Sequence, residues 1–535
     1  MVKNLNIIKR DGSIVKFNKC KIEDAILKAM KYGSGIYEEE IAKKIADEIE
    51  ISCFEKENSP TVYQVENMVY NKLIEYKHEL TAKAYEGYRA VQSFKREVNT
   101  TDDSIIGLLN KTNEEVINEN SNKNGILAST QRDLIAGEVS KDISRRKIIP
   151  AHIVHAHDEG VLHYHDMDYA MQSIHNCMLI NLEDMLQNGT VINNKLVESP
   201  KSFSTACTIV TQIIAQIASG QYGGNTITIR HIAPFLRVSY NKYFNKYKEK
   251  YSEEMAHELA EDRMLEELKS GIQTIRYQLS TLHTSNGQSP FSTIYLEIEE
   301  GHEYEREMAL ICEEMINQRL EGMKNHKGQQ IGEEFPKLVY LLDEHNCLEG
   351  GKYDYITKLA AKCNTKRLVP DYQSAKIMRR NYEGSTFPPM GCRSHLSPWK
   401  DENGNHKWYG RFNQGVISLN LVQVALTANK DMDKFWEILD ERLELCKEAL
   451  MVRHNLLLGT TSDVSPIHWQ HGGIARLKKG EKIDSLLKDG YSTLSLGYVG
   501  VYEMTQAMLG VSHTTKEGEE FALKVMHHLN NTCQK

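Results

Sequence analysis

The chain reads Pro388-Pro389-Met390-Gly391-Cys392-Arg393-Ser394 and, a little further on, Gly410-Arg411-Phe412-Asn413-Gln414-Gly415-Val416-Ile417-Ser418-Leu419-Asn420. Two prolines running into a glycine make a tight turn, which sets Cys392 on the tip of a loop. The second stretch places an amide, Asn413, just ahead of an apolar run that reads as a strand. A thiol on a loop tip and an amide beside a strand fit a sulfur presented inside a barrel or cleft, with Asn413 able to orient a hydroxyl or a carbonyl. A single cysteine is more often a buried small hydrophobe than a reactive group, so both stretches have to be read against the rest of the chain.

At 535 residues the chain exceeds the usual single-domain range, and two units are expected. A net charge of -8 and a pI near 6.3 argue against a duplex-binding protein and leave room only for local basic pockets that hold phosphate. The basic runs Lys242 to Lys250 and Lys376 to Arg380 read as solvated helix faces. No run approaches the roughly 18 apolar residues of a membrane span. Met1-Val2-Lys3-Asn4-Leu5-Asn6 does not open a signal peptide, so a cytoplasmic location is expected. The 10 cysteines stand singly with no C-x-x-C pair, which offers neither a zinc ribbon nor an iron-sulfur signature. Free thiols in a reducing compartment are the natural reading.

Residues 1–95 read as a compact module. Leu5 to Lys9 and Ile14 to Phe17 alternate as short strands, and Asp11-Gly12 between them is a hairpin signal. Helical spacing follows at Ile22, Ile26, Ala29 and Met30, then at Ile41, Ile45 and Ile49, then from Val62 to Ile74. Lys9 and Arg10 on the hairpin, with Lys21 at the start of the next helix, place cations where phosphate charge can be neutralised. A polar segment from Asn99 to Asn124 marks a boundary or a linker-like helix pair. Beyond it, helical runs such as Glu253 to Lys269 and Lys434 to Leu450 alternate with short apolar strand candidates, Leu338 to Leu342 and Val416 to Leu421. That alternation predicts an α/β architecture over residues 100–535.

His163, His165 and Asp166 form a polar cluster ahead of Cys177, joined by His152, His155, His157 and His175. H-x-H-D is similar to metallohydrolase fragments, so a metal centre is a rival reading, although it would need a further ligand that the chain does not nominate. Gln212 to Gly224 reads as an amphipathic core helix with a glycine cap at Gly223-Gly224.

Several motifs occur together in order: Ile8-Lys9-Arg10-Asp11-Gly12, His163-Tyr164-His165-Asp166-Met167-Asp168-Tyr169, His175-Asn176-Cys177, Gln221-Tyr222-Gly223-Gly224, the two stretches around Cys392 and Asn413, and Ser495-Leu496-Gly497-Tyr498-Val499-Gly500-Val501-Tyr502-Glu503. In this the chain resembles the anaerobic (class III) ribonucleoside triphosphate reductases. The resemblance implies a ten-stranded α/β barrel of the glycyl radical enzyme type, in two five-stranded halves with a finger loop through the centre. It also implies a small, mostly α ATP-cone domain at the N-terminus. Cys392 would carry a thiyl radical that takes the 3′ hydrogen of the substrate, Cys177 would donate hydrogen as the 2′-hydroxyl leaves, and Asn413 would hydrogen-bond the sugar hydroxyls. Lys9, Arg10, Asp11, Gly12 and Lys21 would bind ATP or dATP as allosteric effectors, with no metal in this chain.

Formate would be the reductant, and a radical S-adenosylmethionine enzyme with a [4Fe-4S] cluster would activate the protein. The helix from Gln212 would lie at a homodimer interface where a deoxynucleotide effector acts. At least one of His163 and His165 would lie near the formate or substrate pocket. Family members also carry a four-cysteine zinc ribbon and an Arg-Val-Cys-Gly-Tyr-like loop with the stored glycyl radical. Neither motif occurs here, which implies a truncated chain, a partner polypeptide, or a nucleotide-binding remnant that acts as a scaffold. No membrane or direct nucleic-acid partner is expected.

Overall fold

A computed structural model describes residues 6–8, 14–54, 59–113, 123–285, 287–391 and 394–534. The chain divides into two compact units, Met1–Ile106 and Gly107–Lys535. The division falls near the end of the helix Glu79–Leu109.

The first unit pairs β1 (Asn6–Ile8) antiparallel with β2 (Ile14–Lys16), as alternation predicts. Helices follow at Cys20–Ala29, Glu39–Phe54 and Val62–Glu75. Their apolar stripes close one core in which Ile22, Ile26, Ala29, Met30, Ile45, Ile49, Val69 and Leu73 are buried together. Thr61 starts the third helix with a capping box: its hydroxyl accepts from Gln64 N at 3.2 Å and its own amide donates to Gln64 Oε1 at 3.0 Å. Lys21 is exposed on the first turn of its helix, whereas Lys9, Arg10, Asp11 and Gly12 lie outside the described residues.

The second unit is α/β. Its strands are β3 (Leu162–Tyr164), β4 (Met178–Leu179), β5 (Thr190–Ile192), β6 (Lys195–Val197), β7 (Asn225–Thr228), β8 (Ser292–Leu296), β9 (Met323–Lys324), β10 (Gln330–Ile331), β11 (Lys337–Leu342), β12 (Asp371–Ser374), β13 (Arg411–Asn420) and β14 (Thr493–Val499). The main sheet runs β12-β11-β8-β7-β4-β13-β14, with β3 also paired to β13. The first five strands of that path are mutually parallel. Strand β13 then reverses direction against β4 and takes β14 in parallel and β3 antiparallel. Where ten strands are expected, eight are hydrogen-bonded in this sheet among the described residues.

Side chains alternate across each strand, and the two faces of the sheet carry different chemistry. On β4, β7, β8 and β13 the outward set Met178, Ile227, Ile294 and Phe412 packs into one core with Ile213, Ile272 and Ile311 of the covering helices. The inward set includes the polar Thr226 and Thr293, together with Leu179, which joins Phe387, Met390 and Trp408 in a separate cluster. Leu338 to Leu342 and Val416 to Leu421 are strands as expected, except that β13 starts earlier, at Arg411, and Leu421 opens the next helix. The helical runs Glu253 to Lys269 and Lys434 to Leu450 lie within Glu253–Thr281 and Met432–Leu457. Among the described residues, no helix is long and apolar enough to cross a membrane.

Candidate active site

Cys177 immediately precedes β4, at the N-terminal end of the parallel half of the sheet. Its S–H donates to Asn176 Oδ1 at 2.7 Å, and its sulfur accepts the amide N–H of Gly224 at 3.2 Å. Both glycines of Gly223-Gly224 are there for close approach. A methyl group on Gly223 would fall 2.7 Å from Cys177 Sγ and 2.1 Å from Asn176 Oδ1, and one on Gly224 would fall 2.4 Å from the Phe291 ring. The expected helix cap at these glycines is therefore a correction. The helix is Phe203–Ala218, it is capped at Ser219, and the glycine pair belongs to the turn that seats the thiol.

The segment 389–391 is tied to the same place by the inward threonines. Thr226 Oγ1 donates to Pro389 O at 2.8 Å and accepts from Gly391 N at 3.2 Å, while Thr293 Oγ1 donates to Gly391 O at 2.9 Å. Gly391 has φ +58, a left-handed conformation that a side chain would strain, and a methyl group on it would fall 3.3 Å from Cys177 Sγ. Its chain neighbour Cys392 lies outside the described residues, as does Arg393.

Asn413 joins this cluster through the backbone. Its N–H donates to Cys177 O at 2.8 Å, and Asn176 N donates to Asn413 O at 3.0 Å. The fully buried side chain donates from Nδ2 to Ser495 Oγ at 2.6 Å and to Thr493 Oγ1 at 3.2 Å, both on β14. Its carbonyl oxygen has no partner among the described residues, so an acceptor remains for a ligand hydroxyl. A β-bulge between Asn413 and Gly415 re-aims the strand at this point.

Further along, β13 carries Ser418, which is paired in register with His163 on β3 and with Gly497 on β14. Paired residues share a face of a sheet, and Gly497 lies two positions from Ser495, so His163 and Ser418 face the side that Asn413 faces. His165 Nε2 lies 2.8 Å from Ser418 Oγ. The rings of His163 and His165 meet edge to face at 4.4 Å, and those of His157 and His163 lie 5.0 Å apart. Burial, helped by His163 and Arg453, pulls His165 down to about 4, so it is neutral at pH 7. Both His163 and His165 therefore belong to this side of the sheet.

The other members of the histidine cluster disperse. His152 and His155 pair with the surface carboxylates Glu448 and Glu159 at 2.9 and 3.2 Å. His175 is buried against Phe412 and Trp469, and burial and His468 hold its pKa well below the usual range. Among the described residues no group of three or more His, Cys, Asp or Glu side chains is placed to hold a metal ion.

Asn176, Tyr222-Gly223-Gly224 and Ser495 stand within the ordered motifs but carried no supporting role in the sequence, and Thr493 was not marked; the structure makes Asn176 the acceptor of the thiol, the glycine turn its seat, and Thr493 and Ser495 the partners of Asn413. The signal available was small residues next to the two candidate residue types. A cavity of 960 Å³ is lined by Gln212, Gln216, Gly220, Val191, Ser465 and His471, among others. It lies against the helix expected at a dimer interface and reaches the residue that opens the Gln221–Gly224 turn.

The site thus offers a thiol held by one acceptor and one donor, a neutral amide with a spare acceptor, hydroxyls, and uncharged imidazole. Such a set binds sugar-like hydroxyls without a charged base. Residues 119–535 match the family of anaerobic ribonucleoside-triphosphate reductases, and residues 5–94 match the ATP cone domain. The chain is 37% identical over 518 residues to the anaerobic ribonucleoside-triphosphate reductase of Salmonella typhimurium, covering 95% of this chain and 71% of that protein. It is 38% identical over 448 residues to the enzyme of the same name from Enterobacteria phage T4, covering 82% of this chain and 71% of that protein. The crystal structure of the Thermotoga maritima anaerobic ribonucleotide reductase with glycerol in its active site superposes with a TM-score of 0.57 at 16% identity, over 83% of this chain and 73% of that one, a likeness of fold. The chain belongs to the anaerobic ribonucleoside-triphosphate reductase family, with an ATP cone at its N-terminus.

Proposed function

We propose that this protein reduces ribonucleoside triphosphates to 2′-deoxyribonucleoside triphosphates in the absence of oxygen, for DNA synthesis, with residues 100–535 as the catalytic barrel and residues 1–95 as the regulatory cone. The observation that carries this reading is the convergence of three separate segments: Cys177 and Asn413 are joined by a backbone hydrogen bond, and Gly391, held by Thr226 and Thr293, approaches so closely that a methyl group on it would fall 3.3 Å from the Cys177 sulfur. A C3′ hydrogen is not acidic, and a sulfur radical removes it where a base does not. A thiyl on Cys392 takes that hydrogen, and the 2′-hydroxyl leaves as water. Cys177 then supplies hydrogen to C2′, and the 3′ hydrogen returns from Cys392. Formate supplies the two electrons and leaves as carbon dioxide, and one proton is taken up with the departing water. Asn413 Oδ1 accepts from a sugar hydroxyl and holds the ring without titrating.

The remaining assignments belong to the same reading. ATP and dATP bind the cone through Lys9, Arg10, Asp11, Gly12 and Lys21. A deoxynucleotide effector occupies the 960 Å³ cavity at the interface of a homodimer. A radical S-adenosylmethionine enzyme with a [4Fe-4S] cluster activates the protein by placing the radical on a glycine, which no motif of these 535 residues provides. No zinc is assigned to this chain. The nine cysteines among the described residues form no disulfide, which supports a reducing cytoplasm.

The test is anaerobic conversion of CTP to dCTP with ¹³C-formate, activating enzyme and a radical-bearing C-terminal piece from a relative. Labelled carbon dioxide should form in step with dCTP. Cys392→Ser should make no dCTP while still binding effector, and turnover by that variant would refute the role given to Cys392.

A further inference from the structure

The phenol of Tyr222 does something that neither the thiol chemistry nor the fold requires of a core tyrosine. It sits in the turn that seats Cys177. Its amide donates to His175 O at 3.3 Å, the next amide, that of Gly223, donates to Asn176 O at 3.2 Å, and Gly224 N–H reaches the sulfur itself. Gln221 Nε2 closes the turn on Gly223 O at 2.7 Å. From this turn the Tyr222 hydroxyl crosses to another strand and donates to the backbone oxygen of Gln414 at 3.1 Å. Gln414 is the residue inside the β-bulge that follows Asn413.

The bulge is held from its other side as well. Gln414 Oε1 lies 2.9 Å from His454 Nδ1, and Gln414 Nε2 donates to Ser492 Oγ at 2.9 Å. The Tyr222 ring is fixed in turn, stacked on Tyr169 at 5.5 Å and beside the Arg453 guanidinium at 5.3 Å. Arg453 donates to the backbone oxygens of His165 and Asp166, and its stem lies against Gly415, where a methyl group would fall 2.9 Å from its Cγ. Burial holds the phenol well above its usual pKa, so it remains a donor.

We propose that Tyr222 is a positioning residue that couples the seat of Cys177 to the bulge that aims Asn413, so that the hydrogen donor and the sugar-binding amide act on one substrate geometry. The proposal rests on the roles given to Cys177 and Asn413 above. A bulged strand has slack that a regular strand lacks, and the bonds between Asn413 and Cys177 do not reach the Gln414 carbonyl, which the Tyr222 hydroxyl holds. Misalignment has a chemical signature. If C2′ and C3′ are not reduced in register, the sugar ends as a 3′-keto-2′-deoxynucleotide. That species loses a proton from C2′ and eliminates free base from C1′.

The experiment uses the full chain, activated as above, with CTP and effector, comparing wild type with Tyr222→Phe. The variant keeps the ring and its stack and removes only the donor. Its kcat for dCTP should fall on the order of tenfold, the scale of a sub-ångström misplacement, while KM for CTP stays within about twofold. Free cytosine should appear in proportion to the lost dCTP. Tyr169→Ala, which loosens the Tyr222 ring but keeps its hydroxyl, should show a weaker form of the same cytosine release. Wild-type kcat with no cytosine in Tyr222→Phe would overturn the proposal, as would a fall in dCTP without cytosine in both variants. Failure of the wild type to form dCTP would instead overturn the underlying functional reading.

Discussion

The amide N–H of Gly224 donates to the sulfur of Cys177 at 3.2 Å, and no side chain at position 223 could stand between them. The thiol therefore rests on bare backbone. A methyl on Gly223 meets Asn176 Oδ1 and Cys177 Sγ at distances no atom pair tolerates, although the backbone there needs no left-handed conformation. Gly223→Ala should displace the thiol and lower kcat by roughly a hundredfold, with effector binding retained. Steady-state dCTP formation beside an equilibrium effector titration checks it, and near-normal kcat would show that the sulfur's seat is not critical.

Asn413 is fully buried and anchored by two half-buried hydroxyls of β14, so its removal leaves both hydroxyls without that donor. Asn413→Ala should cost about 1–3 kcal/mol of stability through the loss of the Ser495 and Thr493 bonds. It should also abolish dCTP formation. Chemical denaturation monitored by circular dichroism measures the first effect, and product assay the second. Retained activity would remove the sugar-orienting role.

Away from the site, Glu333 bridges two buried guanidinium groups. Its carboxylate pairs with Arg276 and, at 3.1 Å, with Arg319, and the three side chains are 3%, 5% and 2% exposed. Glu333→Ala leaves two positive charges facing each other without a counterion, and a loss of about 3–5 kcal/mol is expected. Differential scanning calorimetry should show a lower Tm. An unchanged Tm would mean that water reaches the pair.

Acid should weaken the fold through its buried histidines. Burial pulls His231 and His468 down to about 3 and His165 to about 4. The unfolded chain takes up these protons near pH 6.5, whereas the native state refuses them until far lower pH. Between about pH 6.5 and 4 the unfolded state therefore binds more protons, and stability falls as pH falls. Tm at pH 5 should lie below that at pH 7 by roughly 5 °C or more. A flat profile would contradict the neutral, buried state of these rings.

In the cone, Lys9→Ala and Lys21→Ala should each weaken inhibition by dATP by roughly tenfold, the scale of one charge-assisted phosphate contact. Catalysis at zero dATP should not change. Inhibition curves that superpose on wild type would remove the phosphate-binding role of these lysines.

Local patterns were legible in the sequence wherever a period of 2 or 3.6 decides burial. The cone helices bury Ile22, Ile26, Ile45 and Ile49 as their spacing demands, and Leu338 to Leu342 is a strand buried on both faces. Residue types marked Cys177, Cys392 and Asn413 only because ordered motifs surrounded them, since a lone thiol and a lone amide carry no periodic signal. The glycine pair after Tyr222 was misread as a helix cap, because a glycine that admits a neighbour and a glycine that ends a helix look alike in sequence.

Tertiary structure decided what depends on long-range pairing. Asn413 meets Cys177 because β13 runs antiparallel to β4, a relation between strands more than 200 residues apart that no local pattern encodes. A second long-range pairing, β3 against β13, splits the histidine cluster: it places His163 opposite Ser418 with His165 beside it, while His175 is buried against Phe412. Sequence by itself determined helical and strand segments wherever periodicity decides burial, and it singled out Cys177, Cys392 and Asn413 as candidates. The sheet's register determined which of those residues share a face, because only the hydrogen-bonded ladder fixes what lies opposite what.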